Sequence, residues 1–490
     1  MTRQVAAPGT PGPGQSAAGG VHRLVIRRHA EDAAFYWARR QDASLSAAHD
    51  LHSLTRFDFL LDAHLEGLRV AQLEGQPPDK AGWEPTWERT QRWKTADEAF
   101  VAAVLALELV AFRGRTAALF TLEELVCDQF DGTLGVADPS LARGLASAAA
   151  WLAWPTIERM VQRWSHSHEP ALRRCALAAC ALHQVPAGAA LSAWLNDPHP
   201  QVRARALRAV GELGRADLAA QLLDRLDAET AHAPGSRQSR TWAAWSLCLL
   251  GHAEHWPAGP DATCEDAGSS AAVALLAAWS VAAPPEHVAA WVDTALQDQS
   301  RWRDAIAVIR YSGQARWLPV LLQLIEHQLE KPALDNFFEE PRSNLARLAA
   351  DAFAHISGLR LADQHWMPQP EATNGADDEA AMNPGVSAAR KQDIDHGLLW
   401  PDLHAVKRWW NAHGHRFGPG GEHAGRYLGG QPLMPSCGAV VLTSPTATQL
   451  QRHHAALYLR CVGVTKTLFD VRAHVRLQRT RAADAGLILS

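Results

Sequence analysis

The sequence predicts an all-α protein in which helical pairs stack side by side into a solenoid. The segment "PALRRCALAACAL" from Pro170 matches the segment from Pro200 at six positions, with a constant offset of thirty residues. Weaker echoes of the same pattern start at Arg240, Arg303 and Arg347. Repeats of roughly thirty to forty residues that each carry one helical pair are typical of solenoids. Alanine and leucine are abundant and isoleucine is scarce, which favours helix over strand.

The best-defined unit, from about 186 to 215, predicts two helices joined by a tight turn. Asp197 and Pro198 end the first helix, because proline disfavours helix at the preceding residue and lacks an N–H. Pro200 begins the second helix, where a missing donor costs nothing, and Gly214 closes the unit. The second helix carries one apolar stripe, which consists of Val202, Ala206, Ala209, Val210 and Leu213. One pair cannot bury this stripe alone, so neighbouring pairs must stack on it.

The opposite side of that second helix is the predicted contact surface. Arg205, Arg208 and Glu212 lie there, and we expect them, together with Arg203, to bind another protein. Arg203 has an alternative role inside the repeat stack. If the surface interpretation holds, replacing Arg205 and Arg208 with Glu weakens partner binding and leaves helicity unchanged.

The same unit resembles the HEAT-repeat superfamily. The residues that carry the resemblance are Asp197, Pro198, Val202, Arg203 and Ala206. The resemblance implies that the second helices line a concave surface. It also implies that a turn Asp and a helix Arg bond between successive repeats, which are the roles of Asp197 and Arg203.

A narrower resemblance extends over most of the chain. The segments "HAEDAAFYWARR", "LDAHLEGLRVA", "LWPDLHAVKRWW" and "GRYLGGQPL" are similar to those of a bacterial family of uncharacterised HEAT-like proteins. Genes of that family are often found among type VI secretion genes. The resemblance implies a partner that is a type VI secretion component or effector, and it implies no catalytic residue.

Composition divides the chain into five parts. The predicted parts are a disordered leader (1–20), a helical N-terminal segment (21–95), the HEAT-like repeat solenoid (96–362), a linker or long loop (363–397) and a small, mainly helical C-terminal unit (398–490). The leader is rich in glycine and proline and has no apolar stretch of the kind that a signal peptide needs. The linker is polar and contains proline, which is typical of segments that do not fold by themselves.

Charge and hydropathy argue against nucleic acid and membrane as partners. The formal net charge is -5, whereas proteins that bind nucleic acid usually present a broad basic surface. The longest apolar runs, which start at Ala99 and Ala271, are shorter than the ~20 residues of a membrane span. The seven cysteines are dispersed and form no CxxC pair, as in reduced cytosolic proteins. We therefore expect a cytoplasmic protein.

No motif for catalysis or cofactor binding is present in the sequence. It contains no P-loop, no HExxH and no G-x-S-x-G nucleophile elbow. We therefore expect a non-enzymatic scaffold or adaptor, with no catalytic residue, no cofactor and no metal site. A metalloprotein remains an alternative because histidines are concentrated near the end of the chain: His396, His404, His413, His415, His423, His453 and His454.

Tryptophan is the one compositional excess, and it carries a second alternative. The chain has nineteen tryptophans, of which ten fall in the repeat region: Trp151, Trp154, Trp164, Trp194, Trp242, Trp245, Trp279, Trp291, Trp302 and Trp317. We interpret these large rings as packing between repeats. The alternative is an aromatic groove, as in DNA glycosylases of the HEAT-like type. A protein similar to the bilin lyases, which share such repeats, is a further enzyme alternative.

Overall fold

The described part of the chain is almost entirely helical, which confirms the all-α prediction. A computed structural model describes residues 23–74, 80–131, 140–186, 188–228, 236–260, 269–330, 343–361, 397–417 and 425–487. The predicted leader and all but the last residue of the predicted linker lie outside the described residues.

Helical pairs follow one another from the N-terminal segment to the end of the repeats. The helices are α1 Arg23–Ala43, α2 Leu51–Glu74, α3 Trp83–Trp93, α4 Ala96–Arg113, α5 Ala117–Asp131, α6 Ser140–Trp151, α7 Trp154–Ser165, α8 Pro170–His183, α9 Gly188–Trp194, α10 Pro200–Glu212, α11 Ala219–Ala228, α12 Ser236–Leu249, α13 Ser270–Ala282, α14 Pro285–Ala295, α15 Trp302–Ser312, α16 Leu318–Glu330 and α17 Ser343–Ser357. Short 3-10 turns lie at Ala216–Leu218, Ala253–His255, Gln299–Arg301 and Ala315–Trp317.

One set of helices forms a continuous row, which we call the inner row. It consists of α4, α6, α8, α10, α12, α13, α15 and α17, each of which packs against the next. The remaining repeat helices, α5, α7, α9, α11, α14 and α16, pack against members of this row. At the N-terminal end, α1 and α3 pack on α4. This stacking of helical pairs is the solenoid arrangement that the sequence predicts.

The predicted repeat register is present in the structure. Both α8 and α10 have their proline, Pro170 and Pro200, at the first helical position. Val202 and Ala206 are fully buried and Leu213 is nearly so. The predicted stripe therefore packs between neighbouring pairs.

An ion pair joins successive repeats at the turn before α10. Arg173 donates from Nε and Nη2 to the two carboxylate oxygens of Asp197, at 2.7 and 2.9 Å. The Asp197 bond between repeats is thus present, with Arg173 of the preceding unit as its partner. Arg203 donates within its own unit, to the carbonyls of Asp197 and Pro198 at 2.9 Å each.

The C-terminal unit, of which residues 398–417 and 425–487 are described, adds helices and a small hairpin. Its elements are α18 Leu403–His413, β1 Tyr427–Leu428, β2 Gln431–Pro432, α19 Pro435–Thr443, α20 Gln449–Cys461 and α21 Val475–Asp484. Helix α20 packs on α12 and α13, α18 packs on α16, and α21 packs on α2. The apolar core that begins at Leu177 continues through the repeats to Leu487. The C-terminal unit and the later repeats therefore share one core.

The hairpin of the C-terminal unit caps the end of the last repeat helix. Gly429 and Gly430 form its turn with φ values of 60° and 78°, a conformation that glycine adopts without strain. Their N–H groups donate to the carbonyls of His355 and Ile356 in α17, at 2.8 and 2.9 Å. These carbonyls would otherwise lack partners, as the last carbonyls of any helix do.

Other residues of the C-terminal unit cap further helices of the inner row. Arg426 donates to the carbonyls of Val281 at 3.0 Å and Ser312 at 2.8 Å, near the ends of α13 and α15. The N–H of Leu468 donates to the carbonyl of Glu212 at 2.8 Å, at the end of α10. Arginine at a helix C-terminus also complements the negative end of the helix dipole. The C-terminal unit thus lies across the C-terminal ends of the inner row.

The same unit is bound to the N-terminal helices. Arg40, which is 1% exposed, forms an ion pair with Asp58. It also donates to the carbonyls of Arg472 and Ala473, at 2.8 Å each. Asp58 accepts a further bond from the N–H of Val475 at 2.7 Å. Residues 472–475 therefore connect the C-terminal unit to α1 and α2.

Candidate functional site

The predicted contact residues of α10 are not exposed, in contrast to the surface that the sequence predicts. Arg205 is buried, and Arg203, Arg208 and Glu212 are half-buried. Arg205 is 9% exposed, and its Nη1 lies 2.8 Å from Oε2 of Glu212. Arg208 donates to the other oxygen of Glu212 at 2.8 Å and lies over the ring of Trp242. None of the residues of α10 is exposed, because α8, α12 and residues near Leu468 surround the helix.

Charges around Glu212 form a compact internal cluster. Burial raises the pKa of Glu212, but Arg205, Arg208 and Arg472 together outweigh it and hold that pKa below its usual value. Burial lowers the pKa of Arg208 to about 10, against the opposing effect of Glu212. Arg472 belongs to the C-terminal unit, so the cluster joins α10 to that unit. Arg205 and Arg208 therefore bond inside the protein, to Glu212 of their own helix.

The repeat tryptophans pack between helices, which confirms the packing interpretation. Seven of them are buried: Trp164, Trp194, Trp242, Trp245, Trp279, Trp291 and Trp317. Trp151, Trp154 and Trp302 are half-buried. Among the described residues, these ten tryptophans therefore form no exposed aromatic groove, and the alternative of a DNA glycosylase stays a prediction.

The C-terminal histidines do not gather into one ligand set among the described residues. His396 and His423 lie outside the described residues. Nδ1 of His413 is 2.9 Å from the carbonyl of Trp409 in the preceding turn. His404 and His415 are exposed.

His453 and His454 instead meet residues from the last repeats. Nδ1 of His454 lies 3.0 Å from Nε2 of His355, and the two rings stack. Nδ1 of His453 lies 3.1 Å from the hydroxyl of Tyr311. Nε2 of His454 is buried without a hydrogen-bond partner. Tyr311 of α15, His355 of α17 and the two histidines of α20 thus form a cluster between the last repeats and the C-terminal unit.

Burial keeps the rings of this cluster uncharged. It lowers the pKa of His453 to about 4 and that of His454 to about 3, with neighbouring arginines adding to the effect. Burial and His454 also lower the pKa of His355. Burial raises the pKa of Tyr311 to about 12. The contact between the last repeats and α20 therefore depends on neutral imidazoles.

An open groove lies between α1 and α3, in the N-terminal segment. It encloses about 280 Å³ and is lined by Arg27, Glu31, Pro85, Glu88, Arg89, Arg92 and Trp93. The ring of Trp93 is 42% exposed, and the guanidinium of Arg92 lies 4.9 Å from its centre. The groove therefore offers an aromatic surface and a cation at the same place.

Most charges of the groove are already paired. Arg27 pairs with Glu88 at 3.1 Å. Arg89 donates from Nε to Glu98 at 2.9 Å. Burial lowers the pKa of Arg89, but the hydrogen bond to Glu98 and the charges of Glu98 and nearby carboxylates together outweigh burial and raise that pKa. In the described part of the chain, no carboxylate pairs with Arg92.

Exposed aromatic rings are concentrated in the same region. All exposed phenylalanines and tryptophans of the described segments come from the first 120 residues: Phe35, Phe59, Trp93, Phe112 and Phe120. On α1, Leu24 and Phe35 are separated by about 20° around the helix axis, and both are more than half exposed. Arg27 and Glu31 lie between them on that face, so the groove is continuous with an apolar stripe.

The sequence predicts only a helical N-terminal segment at residues 21–95, so this groove was not predicted. The sequence of α1 nevertheless contains a pattern that predicts an exposed apolar face. Leu24 and Phe35 are spaced for one helix face, and that face is distinct from the buried one, which contains Ala30 and Ala33. The His355–His454 contact left no such signal, because the two residues are 99 positions apart.

Comparisons with known proteins give no relative. No protein-family model, no curated protein and no solved structure matches this chain. In the segments that the structure describes, no helix is both long enough and apolar enough to cross a membrane.

Proposed function

We propose that this protein is a non-enzymatic scaffold that binds an acidic, apolar segment of another protein in the groove between α1 and α3. The observation that carries the proposal is the exposed pair of Arg92 and Trp93 in an open groove. Tryptophan and arginine are the residue types most enriched among those that dominate binding energy at protein interfaces.

The charges of the groove indicate which side chains the partner segment carries. Arg27 and Arg89 are paired with Glu88 and Glu98, whereas Arg92 lies over Trp93 and has no carboxylate partner among the described residues. A carboxylate of the partner would pair with Arg92, and a neighbouring apolar side chain would pack on Trp93. The partner segment therefore combines an Asp or Glu with a leucine or an aromatic residue.

The apolar stripe of α1 extends the same surface. Leu24 is 68% exposed and Phe35 is 55% exposed, on the helix face that carries Arg27 and Glu31. Exposed apolar side chains next to a groove are typical of interaction sites. On the resemblance to the type VI secretion-linked family, we place this binding in the bacterial cytoplasm, with a secretion component or effector as the partner.

The direct experiment is selection of binders from a displayed library of random linear peptides, against the full chain. We expect the enriched peptides to carry Asp or Glu beside leucine or an aromatic residue. The variant Arg92→Glu/Trp93→Ser should weaken a selected peptide by about tenfold or more, since it removes both groups of a central contact. Fluorescence polarisation of a labelled peptide measures this change.

A matched control uses an exposed residue of the C-terminal unit. Val440 is 68% exposed, and Val440→Asp should bind the peptide as the wild type does. Circular dichroism checks that all variants keep their helicity. Enriched peptides that bind Arg92→Glu/Trp93→Ser with wild-type affinity would overturn the proposal, as would a selection that yields no binder.

A further inference from the structure

We propose that His252, Glu254 and His255 form a binding site for one divalent transition-metal ion. The three residues follow the end of α12, in a turn and the 3-10 helix Ala253–His255. One potential ligand atom of each lies within 4.8 Å of the other two, which is the one such set of three that the described residues contain. This site is separate from the groove between α1 and α3.

The spacing of the ligand atoms fits a small tetrahedral ion. Bonds from zinc to imidazole nitrogen or carboxylate oxygen are about 2.0–2.1 Å long, so neighbouring ligand atoms of a tetrahedral site are about 3.3–3.4 Å apart. Nδ1 of His252 lies 3.4 Å from Oε1 of Glu254. Two of the three ligands are therefore already at the required separation, and the ligand atom of the exposed His255 lies within 4.8 Å of both.

The backbone that carries these ligands is fixed on both sides. Gly251 has a φ of 92°, and the N–H of His252 donates to the carbonyl of Leu247 in α12 at 2.9 Å. Ala253, between the first two ligands, is 3% exposed. After His255, the buried Trp256 accepts a bond at its carbonyl from Nε1 of Trp279, at 3.1 Å. A metal ion would order side chains only, which keeps the entropic cost of binding low.

The donor set selects the class of ion. Two imidazoles and one carboxylate suit zinc, cobalt, nickel or copper, whereas magnesium and calcium prefer sites made of oxygen atoms alone. Three protein ligands leave a fourth position to water. His252 is half-buried and the other two ligands are exposed, so an ion and its water can enter. Because imidazole binds metal only when it is deprotonated, binding weakens as the pH falls.

The test is titration of the full, tag-free chain with Zn²⁺ and Co²⁺. Native mass spectrometry should show one bound ion, and bound Co²⁺ should give the intense visible absorption of a four- or five-coordinate ion. His252→Ala and His255→Ala should each lower the affinity by about tenfold or more, since each removes one of three ligands. His404→Ala, at an exposed histidine elsewhere, should leave the affinity unchanged.

Two results would overturn the site. One is the absence of a stoichiometric ion, and the other is retention of full affinity in both His252→Ala and His255→Ala. Arg92→Glu/Trp93→Ser should bind the metal as the wild type does, because the groove shares no residue with the site. Failure of the metal site is thereby distinguished from failure of the proposed function.

Discussion

The N-terminal helices α1 and α2 and the C-terminal unit both pack on the repeat row, but they use their surfaces in opposite ways. The C-terminal unit uses polar groups for internal contacts. Arg426 and the N–H groups of the hairpin turn donate to the last carbonyls of repeat helices. The N-terminal helices leave large apolar side chains outside, such as Phe59 at 72% exposure. Side-chain polarity alone therefore does not separate internal from exposed helix faces, because the basic face of α10 is internal and the apolar face of α1 is exposed.

Arg452 shows how far the C-terminal unit is organised around internal polar contacts. Its side chain is fully buried in α20. It donates to the carbonyl of Leu442 at 2.8 Å and to the side-chain oxygens of Gln449 at 3.0 Å and Gln478 at 2.7 Å. Burial lowers its pKa to about 10. A buried charge that bonds only to three neutral acceptors requires close packing around it. The face of α1 that carries Leu24 and Phe35 is exposed by contrast.

The largest expected effect comes from breaking the connection between the two regions. Arg40→Met should lower the free energy of unfolding by about 3–5 kcal/mol, because it leaves Asp58 as a buried carboxylate without its ion-pair partner. Urea denaturation followed by circular dichroism measures the change. Arg27→Met removes an exposed ion pair and should cost no more than about 1 kcal/mol. Equal losses in the two variants would show that residues 472–475 are not fixed on α1 and α2.

The next effect tests the contact of the C-terminal unit with α10. Gly214 has a φ of 65°, and a Cβ there would lie 1.9 Å from the backbone oxygen of Lys466. Gly214→Ala should cost about 2–4 kcal/mol, from the left-handed backbone and the steric clash together. Gly463 has a φ of 76° and nothing within 4 Å of the added carbon, so Gly463→Ala should cost about 1 kcal/mol. Thermal melts that rank the two variants the other way would contradict this contact.

A third prediction concerns pH. The pKa values of His453 and His454 lie below the ordinary value in the folded chain, at about 4 and about 3. Below pH 6.5 the unfolded chain therefore binds protons that the folded chain excludes, and stability falls as the pH falls. Between pH 6.5 and 5, each histidine that stays neutral accounts for about 2 kcal/mol of this loss.

Removing the imidazoles should flatten that dependence. His355→Phe/His454→Phe keeps two rings in the cluster and should lose less stability than the wild type between pH 7.5 and 5. Urea titrations at both pH values measure the difference. His404→Phe, whose side chain is exposed, should keep the wild-type dependence. If the double variant loses as much stability as the wild type, the cluster is not the source of the acid sensitivity.

The smallest expected effects compare one exposed residue from each region. Phe59→Asp in α2 and Val440→Asp in α19 change side chains that are 72% and 68% exposed. Each should alter the free energy of unfolding by no more than about 0.5 kcal/mol, as surface substitutions usually do. A larger loss for Phe59→Asp alone would place that ring in a packed contact.

The sequence predicted the fold well where physical signals are local. Pro170 and Pro200 mark helix starts, and the spacing of Val202 and Ala206 identifies the packed stripe. Such signals depend on residues three to eight positions apart. The helical class and the stacked pairs follow from them.

Neither the burial of Arg205 nor the groove between α1 and α3 could be predicted from such local signals. Arg205 is polar, and a polar residue opposite an apolar stripe usually faces solvent. Its burial depends on α12 and on residues more than 250 positions later, such as Leu468. No local pattern in α10 contains that information. The groove between α1 and α3 likewise forms only when separate segments pack together.

The capping of repeat helices by the C-terminal unit has a consequence for synthesis on the ribosome. The carbonyl of Leu182, at the end of α8, receives its bond from Arg481, which is 299 residues later in the chain. At about 5–20 residues per second, translation supplies that arginine roughly 15–60 s after Leu182. For this interval water must solvate the helix ends, and the apolar side chains beneath the C-terminal unit are uncovered. A nascent chain at this stage is therefore a natural client for ribosome-associated chaperones.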